Sequence, residues 1–318
     1  MHRKSPGRLL PLSLLLAFIL ISLSGCGGAL PEQTAVSATE SPPLQSATGS
    51  TTPLVISAIP DQDPEKLQRL YGNVAAYLSQ ELNVPVEYKP VTDYTASITG
   101  FKVGDLDMVW YGGLTGVQAR LQVPGALAVV QRDIDAQFHS VFIANTASGI
   151  NSLTDMKGRT FTFGSESSTS GRLMPQYFLA QEGITPGDFK GQPGFSGSHD
   201  KTLSLVEGGT FDAGVLNEQV WKSRLQEGKV DTGKVKEVYT TPAFHDYHWM
   251  LHPDTLAEYG SDFPDSVKAA FLKLDAGVAE HKEILDLFGA TKFIETDNAN
   301  YAQIEQVGRE IGLIVGDR

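Results

Sequence analysis

An α/β fold of two similar lobes is predicted for this chain. Each lobe is a mixed, mostly parallel sheet with flanking helices, and a cleft lies between them. Three observations predict it. Apolar runs alternate with helix-period segments from Leu54 to Ala144, the rhythm of an open sheet. A second alternating series follows Asn145. Good helices then close the chain, with no repeat of fixed period.

The first series starts with a buried-strand run, Leu54–Ile59. From Asp63 to Leu82 the apolar residues Leu67, Leu70, Val74, Leu78 and Leu82 recur at helical spacing, and Pro64 suits the first turn. A short strand at Val86–Tyr88, a helix at Tyr94–Val103 and an apolar strand at Leu106–Trp110 follow, closed by Gly112 and Gly113. Thr115–Leu121 reads as helix; Ala126–Val130 and Ser140–Ala144 read as strands. In the second series, strands at Thr160–Phe163, Gly194–Phe195, Ala213–Leu216 and Val235–Tyr239 alternate with helices. Those helices are Gly171–Glu182, Lys201–Glu207 and Glu218–Gln226. Pro264–Leu274 and Asn300–Ile311 are the closing helices.

The N-terminus says where this fold works. His2, Arg3, Lys4 and Arg8 precede an apolar stretch, Leu9–Leu23, too short and too early for a stable membrane span. Residues 1–25 read as an export signal. Leu23-Ser24-Gly25-Cys26 resembles the lipobox of bacterial lipoproteins, which implies cleavage before Cys26 and a lipid on its sulfur. Cys26 is the only cysteine of 318 residues, so no disulfide forms within one chain. Residues 26–53 are rich in Ser, Thr, Pro and Gly and read as a tether. Signal removal takes away three cations and moves the formal charge from −12 to −15 (−12 minus 3). No basic run exists, which argues against nucleic acid. An anion would have to be held by local dipoles and hydrogen bonds, because the long-range field is unfavourable.

One turn has the right chemistry for that. Gly164–Pro175 lies between a strand and a helix and carries Ser168, Thr169 and Ser170 in succession, then Gly171 and Arg172. Helix N-termini present unpaired N–H groups and partial positive charge, and hydroxyls add donors. The plainer reading is a single capping hydroxyl. Other polar residues also follow strand ends, where ligands collect in open α/β sheets. Tyr94 follows the Val86 strand, Tyr111 the Leu106 strand and His199 the Gly194 strand; Asp246 lies beyond the Val235 strand.

Several segments together resemble a known family. They are Val91-Thr92-Asp93-Tyr94, Gly104–Asp107 to Trp110-Tyr111-Gly112, Gly164–Pro175, Gly197-Ser198-His199-Asp200 and Thr241–Asp246. Over about Leu54–Leu313 the chain resembles the substrate-binding proteins of ABC importers. It is most similar to the phosphonate/phosphite-binding family and, within it, to a branch often labelled selenate-binding. The resemblance implies a two-lobe, type II periplasmic-binding-protein fold with two crossover strands. Lobe 1 would span 54–143 and 243–318, and lobe 2 144–242. Ser168, Thr169 and Ser170 would hold the oxyanion from lobe 2. Tyr94 would donate from lobe 1, His199 would donate a ring N–H, and Asp246 would meet a protonated ligand oxygen. Glu218 matches a position that contacts an amine-bearing group in the family, and Tyr111 lies in a matching segment. Phe138 departs from the pattern, since some relatives carry Tyr there, and the lost hydroxyl counts against bulkier, amine-bearing phosphonates. The protein would act as a monomer with separate permease and ATPase subunits and no cofactor.

Plainer readings stand beside these. Tyr94 would serve as packing at a helix start, His199 as a loop histidine, Asp246 as a turn cap, Trp110 and Tyr111 as core, and Glu218 as a first-turn acid. His245, His248 and His252 raise a metal-binding alternative, but the extended pattern around them turns 245 and 248 to opposite faces. An enzyme on the fold is the other class. Gly194-Phe195-Ser196-Gly197-Ser198 lacks the last glycine of a nucleophile elbow, Ser168–Ser170 have no Ser-x-x-Lys spacing, and no P-loop is present. The candidate ligands are phosphite, a small alkylphosphonate, phosphate and selenate. An ionised Asp246 only accepts hydrogen bonds, which favours an oxyanion that carries a proton.

Overall fold

The structure, a computed structural model, describes residues 52–316. The export signal, Cys26 and nearly all of the tether lie outside the described residues.

The chain first builds β1 (Leu54–Ala58), α1 (Pro64–Leu82), β2 (Val86–Tyr88), α2 (Tyr94–Lys102), β3 (Met108–Tyr111), α3 (Gly113–Gln122) and β4 (Leu127–Arg132). It then crosses to β5 (Ser140–Asn145), β6 (Phe161–Phe163), α4 (Met174–Gln181), β7 (Gly194–Phe195), α5 (His199–Glu207), β8 (Ala213–Asn217), α6 (Glu218–Gln226) and β9 (Val235–Thr240). It returns through β10 (His248–Leu251), α7 (Asp254–Tyr259), α8 (Phe263–Leu272), α9 (Ala279–Phe288), β11 (Phe293–Glu295) and α10 (Ala302–Glu310).

Two sheets result, ordered β11-β4-β10-β3-β1-β2 and β7-β6-β8-β5-β9. The mixed α/β architecture stands as predicted, with a larger antiparallel share than the alternating rhythm suggests. Parallel pairing is confined to β1 with β2 and β3, and to β6 with β7 and β8. The cause is the return of the chain: β5 and β10 each enter a sheet from the other lobe. Each therefore runs antiparallel to both its neighbours. The crossing segments also pair with each other. Phe138 N donates to Phe244 O at 2.8 Å and Phe244 N to Phe138 O at 2.9 Å.

Local sequence explains the elements. Asp63 caps α1 through Lys66 N, Pro64 fills its first turn, and Asn83 ends it in the left-handed region at φ 53°. Leu67, Leu70, Val74 and Leu78 are buried as their spacing predicts; each contributes about 1.5–3 kcal/mol by leaving water. The helix expected from Gly171 begins earlier, as a π-turn over Thr169–Leu173 that runs into α4. Beside the crossing, Arg132 and Asp135 form a buried ion pair. Arg132 Nε and Nη2 donate to the carboxylate at 2.7 and 2.6 Å, and Nη1 donates to Phe288 O at 2.7 Å.

Candidate ligand-binding cleft

Four helix starts meet between the lobes. α2 opens with Tyr94, capped by Asp93; α3 opens at Gly113; the π-turn opens at Thr169, capped by Ser168; α5 opens with His199, capped by Ser198. Hydrogen bonds stitch them together. Leu114 N donates to Thr169 Oγ1 at 2.9 Å, Gly113 N to Asp246 Oδ1 at 3.0 Å, and Thr115 Oγ1 to Ser167 O at 2.9 Å. His199 N donates to Asp61 O at 2.9 Å, again across the lobes. Positive helix ends pointed at one place answer the sequence-level problem of binding an anion in an acidic protein. The π-turn adds to this: its first backbone bond is Leu173 N to Ser168 O, which leaves one more N–H free than an α-turn would.

The cluster has unfinished bonding. Tyr94 Oη, Ser170 Oγ and Asp246 Oδ2 are buried and have no partner in the protein. Buried polar atoms are almost always paired, so three orphans at one place point to a guest. Tyr94 lies beside Ser168, and Asp246 lies beside Thr169 and Ser170. Burial pushes the Asp246 carboxyl up to about 7, against the opposing pull of the Gly113 N–H. Burial also pushes Tyr94 well above its ordinary value, so it remains a donor. His199 is pushed down to about 4 by burial and is neutral near pH 7. Asn217 N approaches its Nδ1 at 3.3 Å, which assigns the ring proton to Nε2, 3.2 Å from Tyr247 Oη.

Other sequence candidates go elsewhere. Tyr111 faces the core: its hydroxyl donates to Ser97 O at 2.9 Å and its ring packs edge-on against Phe101. Glu218 opens α6 and pairs with Lys222. Arg172 does not join the hydroxyls. Its guanidinium stacks on Phe163 and Phe195, 4.4 and 5.0 Å from the ring centres. Of the three histidines, His248 packs at a tilt on Tyr301, His245 meets the same ring edge-on, and His252 packs on Phe101. Among the described residues no group of three or more His, Cys, Asp or Glu is placed to hold a metal ion.

Sequence reasoning passed over Asp61, Tyr247, Asn217 and the Gly113–Leu114 amides. Asp61 had a usable signal, since it follows the carboxyl end of β1. Tyr247 adjoins Asp246, and its hydroxyl donates to Asp61 Oδ2 at 2.8 Å.

Two lobes closed over orphaned donors and an acceptor, fed by helix N-termini, define a binding protein for a small anion. Residues 56–301 match the family described as ABC transporter, phosphonate, periplasmic substrate-binding protein, and the chain belongs to that family. It is 46% identical over 268 residues to the probable ABC transporter phosphite binding protein PhnD1 of Prochlorococcus marinus (strain MIT 9301). That alignment covers 82% of this chain and 90% of the relative. The structure of PhnD1 in complex with methylphosphonate matches at TM-score 0.80 and 45% identity, over 82% of this chain and 99% of that one. The phosphate-import protein PhnD of Mycolicibacterium smegmatis (strain ATCC 700084 / mc(2)155) is 25% identical over 78% of this chain and 80% of its own.

Proposed function

We propose that the protein is the lipid-anchored receptor of an ABC importer for small phosphorus oxyanions, phosphite and methylphosphonate first. The carrying observation is the orphan set: Tyr94 Oη and Ser170 Oγ as donors, Asp246 Oδ2 as acceptor. A tetrahedral anion with one O–H completes all three. The methylphosphonate held by a relative at 45% identity supports this ligand class. Ser168, Thr169 and His199 would complete the shell. Tyr111 would act indirectly, through its bond to α2, the helix that Tyr94 opens, and Glu218 would stay at the rim with Lys222. The fully buried Phe138, edge-on to Tyr247, favours small ligands over bulky ones.

In this reading Cys26 carries the lipid and residues 26–53 tether the receptor to a bacterial membrane. The lobes divide at the Phe138–Phe244 pairing rather than at 143/144. The receptor binds and releases its ligand without turnover, as a monomer, and separate permease and ATPase subunits do the transport. Nucleic acid and cofactors have no part.

The alternative is a selenate-type ligand. With Asp246 near 7, a fully ionised oxyanion is accepted only when the carboxyl brings the proton. Thermal shift and calorimetry with phosphite, methylphosphonate, phosphate, selenate and sulfate at pH 7 test the order. A ligand at 100 times its dissociation constant adds about 2.7 kcal/mol of stability. Phosphite and methylphosphonate should shift the melt most. A shift by selenate alone would overturn the ligand assignment, and no shift by any of them would overturn the anion site.

A further inference from the structure

Behind the cleft lies a hydrogen-bonded chain with only one consistent polarity. It starts at Asn217, whose Oδ1 accepts Val220 N at 2.7 Å and caps α6. That bond fixes the amide, so Nδ2 faces Tyr247 and donates to its oxygen at 2.9 Å. Tyr247 has one proton and two lone pairs. Its proton goes to Asp61 Oδ2, because a carboxylate only accepts. The remaining lone pair faces His199 Nε2. The backbone N–H of Asn217 already points at His199 Nδ1, so that nitrogen must be the bare one. Every donor then meets an acceptor. Reversing the Tyr247 hydroxyl would set two donors against each other at Nδ1.

We propose that Asp61 is a positioning residue for the anion site: through Tyr247 it anchors the Nε2–H of His199 while Asn217 N holds Nδ1, so the ring is fixed with its Cε1 edge against the π-turn. Asp61 is all but fully buried, and its own carbonyl accepts His199 N from the opposite lobe. One residue of the first lobe thus receives the histidine by its backbone and, through Tyr247, anchors its ring N–H by its side chain. The ring's Cε1 edge abuts Gly171 of the π-turn, where an added Cβ would come within 3.2 Å. Although burial raises the carboxyl to about 6, Arg132 and Lys66 favour its charge, and it is ionised at pH 7. The proposal rests on the reading that His199 faces the ligand.

Ring-nitrogen NMR of His199, on ligand-free protein at pH 7, is the direct test. Wild type should show a protonated Nε2 and a bare Nδ1. Asp61→Asn replaces a pure acceptor with a group that also donates, and Tyr247→Phe removes the relay. Each should loosen the Nε2–H bond to Tyr247 and move the Nε2 signal while Nδ1 stays bare against Asn217 N, and each should weaken methylphosphonate binding about tenfold. Asp61→Asn made in the Tyr247→Phe background should add less than twofold. An unchanged Nε2 signal in both single variants, or losses that simply multiply, would overturn the proposal. His199→Ala separates the two layers. If it leaves methylphosphonate affinity intact, His199 is no ligand contact and the proposed benefit to the anion is gone, whatever the Nε2 signal. If it weakens binding while Asp61→Asn does not, only the Asp61 assignment fails.

Discussion

Two buried polar clusters lie close together in this molecule, and they are built on opposite principles. The Arg132–Asp135 pair is closed on itself, with each guanidinium nitrogen committed to Asp135 or to Phe288 O. The Tyr94–Ser170–Asp246 cluster is equally buried and leaves three atoms without partners. A self-satisfied cluster holds the fold together, and its loss is felt as instability. An unfinished cluster contributes little to the fold, and its loss is felt by a guest. The difference separates structure from function without reference to sequence position.

The largest expected effect breaks the closed cluster. Arg132→Ala strips the buried Asp135 of its cation, which costs about 3–5 kcal/mol. Urea unfolding measures it, and a loss below about 1 kcal/mol would mean that the pair is replaceable. Next in size is the open cluster. Ser170→Ala removes no bond within the protein, so stability should hold within about 0.5 kcal/mol. Oxyanion affinity should fall about 10- to 150-fold, the worth of one hydrogen bond to a charged oxygen. Calorimetry and melting on the same sample read both; equal affinity would mean that Ser170 is not a contact. Thr169→Val should differ from it, because Thr169 Oγ1 also accepts Leu114 N across the lobes. That variant should lose stability as well as affinity.

The effect of pH comes next in size. Burial raises Asp246 from 3.8 to about 7 and Asp61 from 3.8 to about 6. A carboxyl raised on folding contributes stability below its unfolded value and loses it as pH climbs through the folded one. The ligand-free protein should therefore melt lower at pH 8 than at pH 5, and Asp246→Asn should flatten that slope. An unchanged slope in Asp246→Asn would refute the assignment. Above about pH 7, selenate affinity should drop about tenfold per unit as Asp246 gives up its proton. Phosphite and methylphosphonate should fall less near neutrality, since they carry their own. The smallest effect is expected at the rim. The Lys222 side chain is 65% exposed in its pair with Glu218, so Lys222→Ala should change stability by less than about 0.5 kcal/mol and methylphosphonate affinity by less than twofold.

Much of this was readable in the residues, and the unreadable part has physical causes. Strand ends and helix caps are local, so Tyr94, Ser168, Thr169, Ser170 and His199 stood out as a set, and the structure brings them together with Asp246. The direction of a hydroxyl is not local. Tyr111 and Tyr247 are both buried aromatics in strand-like surroundings, and only packing decides that one bonds Ser97 and the other Asp61. Arg172 misled for a similar reason, because its place in the π-turn sets it over Phe163 and Phe195. α9 gathers its buried apolar residues, Ile284, Leu285, Leu287 and Phe288, in its second half, and β11 has three residues; neither stood out in the sequence, and both are stabilised by the sheet and helices they pack on.

The pairing of Phe138 with Phe244 has a kinetic consequence. Tyr94, Ser168, Thr169, Ser170, His199 and Asp246 are each 3% exposed or less, so no path leads out between them while the lobes are shut. Departure of a guest must wait for the crossing segments to bend. Asp246 lies two residues from that pairing, its N–H bonded to Asp135 O, so the segment that would bend also carries the proposed contact. The residence time of the anion is then governed by how often the hinge opens, and a variant that stiffens the hinge would lengthen it without touching a single ligand contact.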